Sequence, residues 1–425
     1  MGHRKNQVKV VWIASLLFVV KIFANPPQHI DRTLMFEFRD PRYSFEANAN
    51  TWHTLNQTAA FGADILTESK HMNRAWARSA LFAGALWSNT MLRFYSHEIA
   101  HEYVYRHKNI SIQNSLNLQS WTSSYIPGIA YPSWQRSQVD VDRLNGQELI
   151  AATAAGLNQD EFNAEISWRS SFQHGFTTFY DAQSYVLTKF RDVEYIIKSG
   201  SDEAPFAPGQ RIQQLQYDVY AETPHLFDDV NLYRLALLNN GISISNQHLL
   251  NRALFADALS WHSWESLYAL FSYLSSGKNK TRLFSFSIGE NVEIMPPLFS
   301  HYMTPSGSFF NSSYVLNMNN IRLRLDIGSM IGFTNINAFQ RYRFGLKALD
   351  VDLTSFWHIQ PYFYINGQSG LNFSGQSIGI DNILHYSRTL ALFFKAEYNY
   401  GDILENEIKR EKTGFQTVLG FRVNL

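Results

Sequence analysis

Ile321-Arg322-Leu323-Arg324-Leu325-Asp326-Ile327-Gly328 alternates apolar and polar residues with a period of two. Successive side chains of a strand point to opposite faces, so this order puts the four aliphatic groups on one face and the arginines and aspartate on the other. The alternation returns in Tyr342-Arg343-Phe344-Gly345-Leu346-Lys347, from Leu390 to Tyr400, and from Phe415 to Leu425. Turn-forming runs separate the segments, among them Asn317 to Asn320, Asn366 to Gly370 and Tyr400-Gly401-Asp402. Residues 281–425 are therefore expected to form an antiparallel β-barrel of about eight strands. Several segments reach the ~9–11 residues that cross a bilayer at a tilt, with Tyr and Phe near their ends, so the apolar face is expected to meet lipid. A soluble sheet with one wet face is the rival. Pro296-Pro297 and Pro361 fall inside candidate strands, where proline fits only at an edge, a bulge or a strand start.

The chain ends inside the pattern, at Gly420-Phe421-Arg422-Val423-Asn424-Leu425. This resembles the carboxy-terminal signal strand of bacterial outer-membrane barrel proteins, most of which end in Phe where this chain has Leu. An even strand number returns both ends of a barrel to one side, which would place the rest of the chain on the periplasmic side of an outer membrane.

Upstream, from about residue 51 to residue 276, the period is helical, as in Leu249, Leu250, Leu254, Leu259, Trp264, Leu267 and Leu270. The fold class expected is α+β, a mainly helical domain at 51–276 followed by the barrel at 281–425. Residues 25–50 are expected to be an extended segment. His3, Arg4, Lys5 and Lys9 precede the apolar run Val10 to Val20, and Ala24 offers a cleavage point, so residues 1–24 are expected to be a signal peptide. Export follows.

Composition excludes several activities. There is no cysteine, which removes disulfide scaffolds, thiol nucleophiles and Cys-ligated metals. The formal net charge is zero, whereas a nucleic-acid binder needs an excess of Lys and Arg. No phosphate-cradling Gly loop or nucleophile elbow is present, so neither nucleotides nor serine hydrolysis is expected. Aromatic residues make up 15% of the chain and charged residues 17%.

One motif carries chemistry: His97-Glu98-Ile99-Ala100-His101, within a helical stretch from Met91 to Arg106. Residues four apart on a helix share a face, so His97 and His101 can bind one Zn2+, with Glu98 placed as general base and then acid. A third ligand is required. His107, an alternative third ligand, stands ten after His97, a spacing that resembles metzincin peptidases, but those normally have Gly, for a sharp exit from the helix, where this chain has Val104. Glu161-Phe162-Asn163-Ala164-Glu165 follows on a helix predicted from about 139 to 171.

The two motifs together resemble gluzincin metallopeptidases, in which His-Glu-x-x-His is followed by Glu-x-x-Ala-Asp. The resemblance implies that Glu161 is the third zinc ligand. It also implies that Glu165, a methylene longer than the family's Asp, orients a ligating His. His174, Tyr180 and His225 are candidates to stabilise an oxyanion, and Asp228-Asp229 fits the capping of a helix from Val230. The function expected is a zinc-dependent peptidase of the bacterial envelope, with a protein or peptide substrate and outer-membrane lipid as its surroundings. The alternative is a structural or transport barrel whose helical domain binds a partner without catalysis. If Glu161 faces away from the histidines, the partner-binding alternative wins unless another residue completes the site.

Overall fold

The period-two segments do form strands, and they pair into one antiparallel sheet. The computed structural model describes residues 32–39, 44–68, 70–107, 114–119, 131–136, 146–200, 229–288, 292–305, 307–318, 321–330, 342–368, 372–387, 389–401 and 414–424. The expected signal peptide lies outside these residues.

The first strand, β1 (Thr33–Glu37), precedes helices α1 (Phe45–Thr67) and α2 (Ala75–His107). Strands β2 (Asn114–Gln119) and β3 (Tyr131–Arg136) pair with each other. Next come α3 (Gly146–His174), β4 (Phe176–Thr178), α4 (Phe179–Lys189), α5 (Arg191–Lys198), α6 (Asp229–Asn239), α7 (Asn246–Leu259) and α8 (Trp261–Ser276). Side chains cap several starts: Ser44 accepts from Ala47 N at 3.2 Å and Ser245 from His248 N at 3.0 Å. Helix α8 ends at Gly277, whose φ of 78° is the left-handed conformation of a helix terminus. Strand β5 (Lys280–Arg282) returns to pair with β4.

The remaining strands are β6 (Phe286–Ser287), β7 (Val292–Thr304), β8 (Gly307–Met318), β9 (Ile321–Met330), β10 (Tyr342–Thr354), β11 (Trp357–Gln368), β12 (Asn372–His385), β13 (Leu390–Gly401) and β14 (Gly414–Asn424). The chain is thus α+β, as expected, but the barrel of about eight strands is corrected. The sheet has ten strands in the order β1-β14-β13-β12-β11-β10-β9-β8-β7-β6, and it is not closed: β1 and β6 are its ends. Segment counting within 281–425 could not include β1, which comes from the stretch expected to be only extended and pairs Leu34 with Val423 and Phe36 with Phe421. Helix α1 also begins earlier than residue 51. Both proline sites fall at register breaks, Pro296-Pro297 between the Met295 and Leu298 pairs, and Pro361 beside the break between Lys347 and Val351.

Faces of the sheet are inverted relative to a water-soluble one. Arg324, Asp326, Asp381, Lys395, Glu397 and Asn399 are buried, while Ile327, Phe344, Leu346, Ile378, Leu392, Phe394, Phe415 and Leu419 are exposed. The buried face meets helices through polar pairs beside an apolar cluster in which Trp168 and Phe172 pack on Met295, Leu298, Val315 and Leu349. Arg324 Nη1 donates to Glu165 of α3 at 2.6 Å, Lys395 Nζ to Glu46 of α1 at 2.8 Å, and α3 buries Asn158, Gln159, Asp160, Glu161, Asn163 and Glu165. A cavity of about 120 Å³ between α1, α3 and the sheet is lined by Glu46, His53, Arg169, Lys347, Asp381 and Arg422, among others.

The open edges are satisfied by helix side chains. On β1, Thr54 Oγ1 of α1 accepts from Met35 N at 2.9 Å and donates to Met35 O at 2.5 Å. On β7, Asn158 of α3 takes Met303 N and donates to Met303 O, both at 2.8 Å. Ser260, between α7 and α8, accepts from Phe299 N at 3.0 Å and its hydroxyl lies 3.0 Å from Phe299 O. Three short polar side chains thus do at these points what a neighbouring strand would do.

Inside the sheet, aromatic rings lie over glycines of the next strand. A Cβ at Gly345 would overlap Tyr364, and one at Gly379 would overlap Tyr362. Gly345→Ala is therefore expected to destabilise the protein by ~1–3 kcal/mol, the usual cost of overpacking. Adding Tyr364→Ser should restore much of the loss in a denaturation midpoint; a single variant as stable as the parent would show that the rings simply move aside.

Candidate metal centre

His97 and His101 lie on α2, which runs unbroken through Val104. The four-residue spacing brings their rings to 5.0 Å between centroids, and both are buried. Helix α3 crosses this face at Gly156, where a Cβ would overlap Nε2 of both histidines. Only glycine lets the backbone approach so closely. Asp229, the first residue of α6, completes the group. Its Oδ2 lies 3.0 Å from His97 Nε2 and 3.2 Å from His101 Nε2, and the two Nε2 atoms are 3.3 Å apart.

These separations can be compared with what a metal requires. Bonds of ~2.0–2.1 Å in a tetrahedral site set neighbouring ligand atoms ~3.3 Å apart. The observed triangle has nearly that edge. The outer ring nitrogens are also engaged: His97 Nδ1 lies 2.8 Å from Asp160 Oδ2, and His101 Nδ1 lies 2.7 Å from Ala152 O, both partners on α3. With a metal bound, a carboxylate and a carbonyl in those places would keep the proton on Nδ1 and leave each Nε2 free to ligate. The three residues could hold one metal ion.

Electrostatics around the group favour positive charge. Burial opposes ionisation of Asp229, yet His101 and His97 outweigh it and hold the carboxyl well below its usual range. Burial likewise disfavours a charged His97, but Tyr195, Asp160 and Asp229 outweigh it and raise the imidazole well above its ordinary value. The Tyr195 ring lies 5.5 Å from that of His97, with the Arg191 guanidinium 4.0 Å from the Tyr195 ring centre on the other contact.

Glu98 follows His97 and is partly buried. His107 is the last residue of α2, and its side chain lies outside the described residues, as does His225. Glu161, expected as third ligand, is not brought to the histidines. Both its carboxylate oxygens lie 2.8 Å from Lys189 Nζ, which also stands 3.2 Å from Asp257 Oδ1. Glu161, Asp192 and Asp257 form a second group with metal-like spacing. There the Lys189 ammonium already stands against two of the three carboxylates. Glu165, expected to orient a histidine, instead takes Arg324 and the Tyr302 hydroxyl, tying α3 to the sheet. Asp160, immediately before Glu161, occupies the orienting role. Tyr180 is buried on α4 with its hydroxyl 3.0 Å from Ser88 Oγ.

Asp229 was legible only as a helix-capping acid, since it lies 128 residues from His101. A usable signal was chemical: with Cys absent, the third ligand had to be a carboxylate or a His, and an acid at a helix start is held in a fixed place. No protein-family model matches the chain, and a search of curated proteins finds no match.

Proposed function

We propose that this protein is a zinc-dependent hydrolase of a bacterial outer membrane, acting on peptide bonds. The observation that carries the proposal is the convergence of His97, His101 and Asp229 at metal-ligand spacing, with both outer ring nitrogens held. A zinc ion bound there supplies Lewis acidity and a hydroxide-like nucleophile at neutral pH. Glu98 takes the proton of the attacking water and returns it to the leaving amine. Asp160 and the Ala152 carbonyl keep the imidazoles in the tautomer and orientation that ligation needs. Gly156 keeps the space between the rings open. The non-catalytic alternative treats the His-Glu-x-x-His pattern as incidental, and an acid arriving from a distant helix at ligand distance weighs against it.

Support for the membrane comes from the inverted sheet. Strands of 10 to 14 residues, β9 to β14, carry exposed aliphatic and aromatic groups on one face and buried ion pairs on the other. Connections at one end span 319–320, 355–356 and 386–389, and at the other 305–306, 331–341, 369–371 and 402–413. The two longest connections, 331–341 and 402–413, fall at the same end, as the outer-membrane pattern of unequal ends would have it.

Glu98→Gln is expected to keep one zinc per chain and to lower kcat/KM on a fluorogenic peptide library by ~10²–10⁴-fold, the usual weight of a general base. Chelation should abolish turnover and zinc restore it. Unchanged turnover in Glu98→Gln, or a folded protein without metal by elemental analysis, would overturn the proposal.

A further inference from the structure

Helices α7 and α8 are built inside out, like the sheet. Along α8, His262, Ser263, Ser266 and Ser272 are buried, whereas Trp261, Trp264, Leu267, Tyr268, Phe271 and Leu274 are exposed. On α7, Leu254, Phe255 and Leu259 are exposed while Arg252 and Asp257 are buried. From Leu254 to Ser276 every exposed residue is uncharged. Glu265, the acid of this span beside Asp257, is turned in, accepting from Phe284 N at 2.6 Å and lying 3.0 Å from His262 Nδ1. The apolar surface continues onto the sheet edge through neighbouring rings, one pair tilted and the next edge-on. Ring centroids of Trp261 and Phe284 are 5.6 Å apart, and those of Phe284 and Phe286 are 4.7 Å apart.

Position in the fold matters as much as composition. Only Ser260 separates α7 from α8, so they follow one another along the edge of β7, where Ser260 satisfies Phe299. The start of α7 binds α5, Asn246 Nδ2 donating to Ile196 O at 2.7 Å. The end of α8 lies at the start of α2, Arg78 donating to Leu274 O and Ser275 O at 3.3 Å. Leu254 to Leu274 spans up to about 30 Å at ~1.5 Å per residue. That matches a hydrocarbon layer of ~30 Å. Among the described residues no helix is long and apolar enough to cross a membrane by hydropathy. Helix α8, with 16 residues, is too short to cross alone.

Resting on the membrane assignment of the sheet, we infer that α7 and α8 face lipid hydrocarbon and close the wall that the open sheet leaves incomplete. An unpaired sheet edge is not tolerated in hydrocarbon, and these helices lie along β7, with Ser260 between them satisfying Phe299 N. The occupant of their outer face is then lipid, because the surface runs on through the exposed rings of Phe284 and Phe286 at the sheet edge and exposes no charged residue.

The absence of native cysteine makes single-site labelling direct. Nitroxide labels would be attached to Leu267→Cys and Phe271→Cys on α8, Ile378→Cys and Leu392→Cys on the sheet, and Lys278→Cys as an aqueous control. Each would be reconstituted in phosphatidylcholine–phosphatidylglycerol vesicles after its circular dichroism spectrum is matched to the parent. The α8 labels should collide preferentially with oxygen over a nickel chelate, as the sheet labels do, and Lys278→Cys should show the reverse. Nickel access at α8 with oxygen preference on the sheet would overturn the inference and leave the membrane assignment standing. Nickel access at both would remove the membrane assignment and the inference with it. Dipolar broadening between labels of different molecules at α8 would show a second copy on this face and overturn the inference.

Discussion

Asp229→Ala will lose zinc by at least ~100-fold in affinity, more than the ~10–100-fold that follows removal of a residue orienting a ligand. Two histidines four apart on a helix supply two bonds, and a catalytic zinc requires three from the protein. Asp229 Oδ2 is equidistant, within 0.2 Å, from the two Nε2 atoms, at 3.0 and 3.2 Å. Asp160→Asn is expected to show the smaller loss, since it disturbs only the His97 tautomer. Glu161→Gln serves as the contrast. Its carboxylate is engaged by Lys189, so the variant should retain one zinc per chain by elemental analysis. Retention of zinc by Asp229→Ala together with its loss in Glu161→Gln would reverse the ligand assignment.

Lys189→Ala should cost ~3–5 kcal/mol of stability, the usual result of removing one partner from a buried ion pair. Lys189 is fully buried and Glu161 and Asp257 are nearly so. Removing the ammonium leaves carboxylates of α3, α5 and α7 converging with little water to screen them, since Asp192 lies within the same group. Charge, rather than the lost methylenes, should dominate. Lys189→Met with Glu161→Gln removes one charge of each sign, and it should recover a large part of the loss in the urea midpoint followed by tryptophan fluorescence. A Lys189→Ala change within ~0.5 kcal/mol of the parent, the range of ordinary surface substitutions, would mean the cluster is not held as an ion pair.

Strand positions were legible in the sequence because the side-chain period of a strand is fixed by the backbone. Ile321 to Gly328 therefore named its two faces, and burial of Arg324 and Asp326 with exposure of Ile327 follows that division. The turn signals located the hairpins for the same local reason. What alternation could not supply was closure. Thr33–Glu37, far upstream, joins β14, and the sheet ends at β1 and β6 without meeting itself.

The proposed metal site divides in the same way. His97 and His101 were determined by sequence, since the helical period alone puts residues four apart on one face. The third corner was not, because helix-to-helix distances depend on packing. Glu161 had the expected spacing and Asp160 the right position: on α3 the neighbouring residue points about 100° away, so one acid reached His97 and the other reached Lys189. Asp229 and Gly156 entered the site only when α6 and α3 packed against α2. Local periodicity thus determined which side chains share a face, and the tertiary structure decided which faces meet.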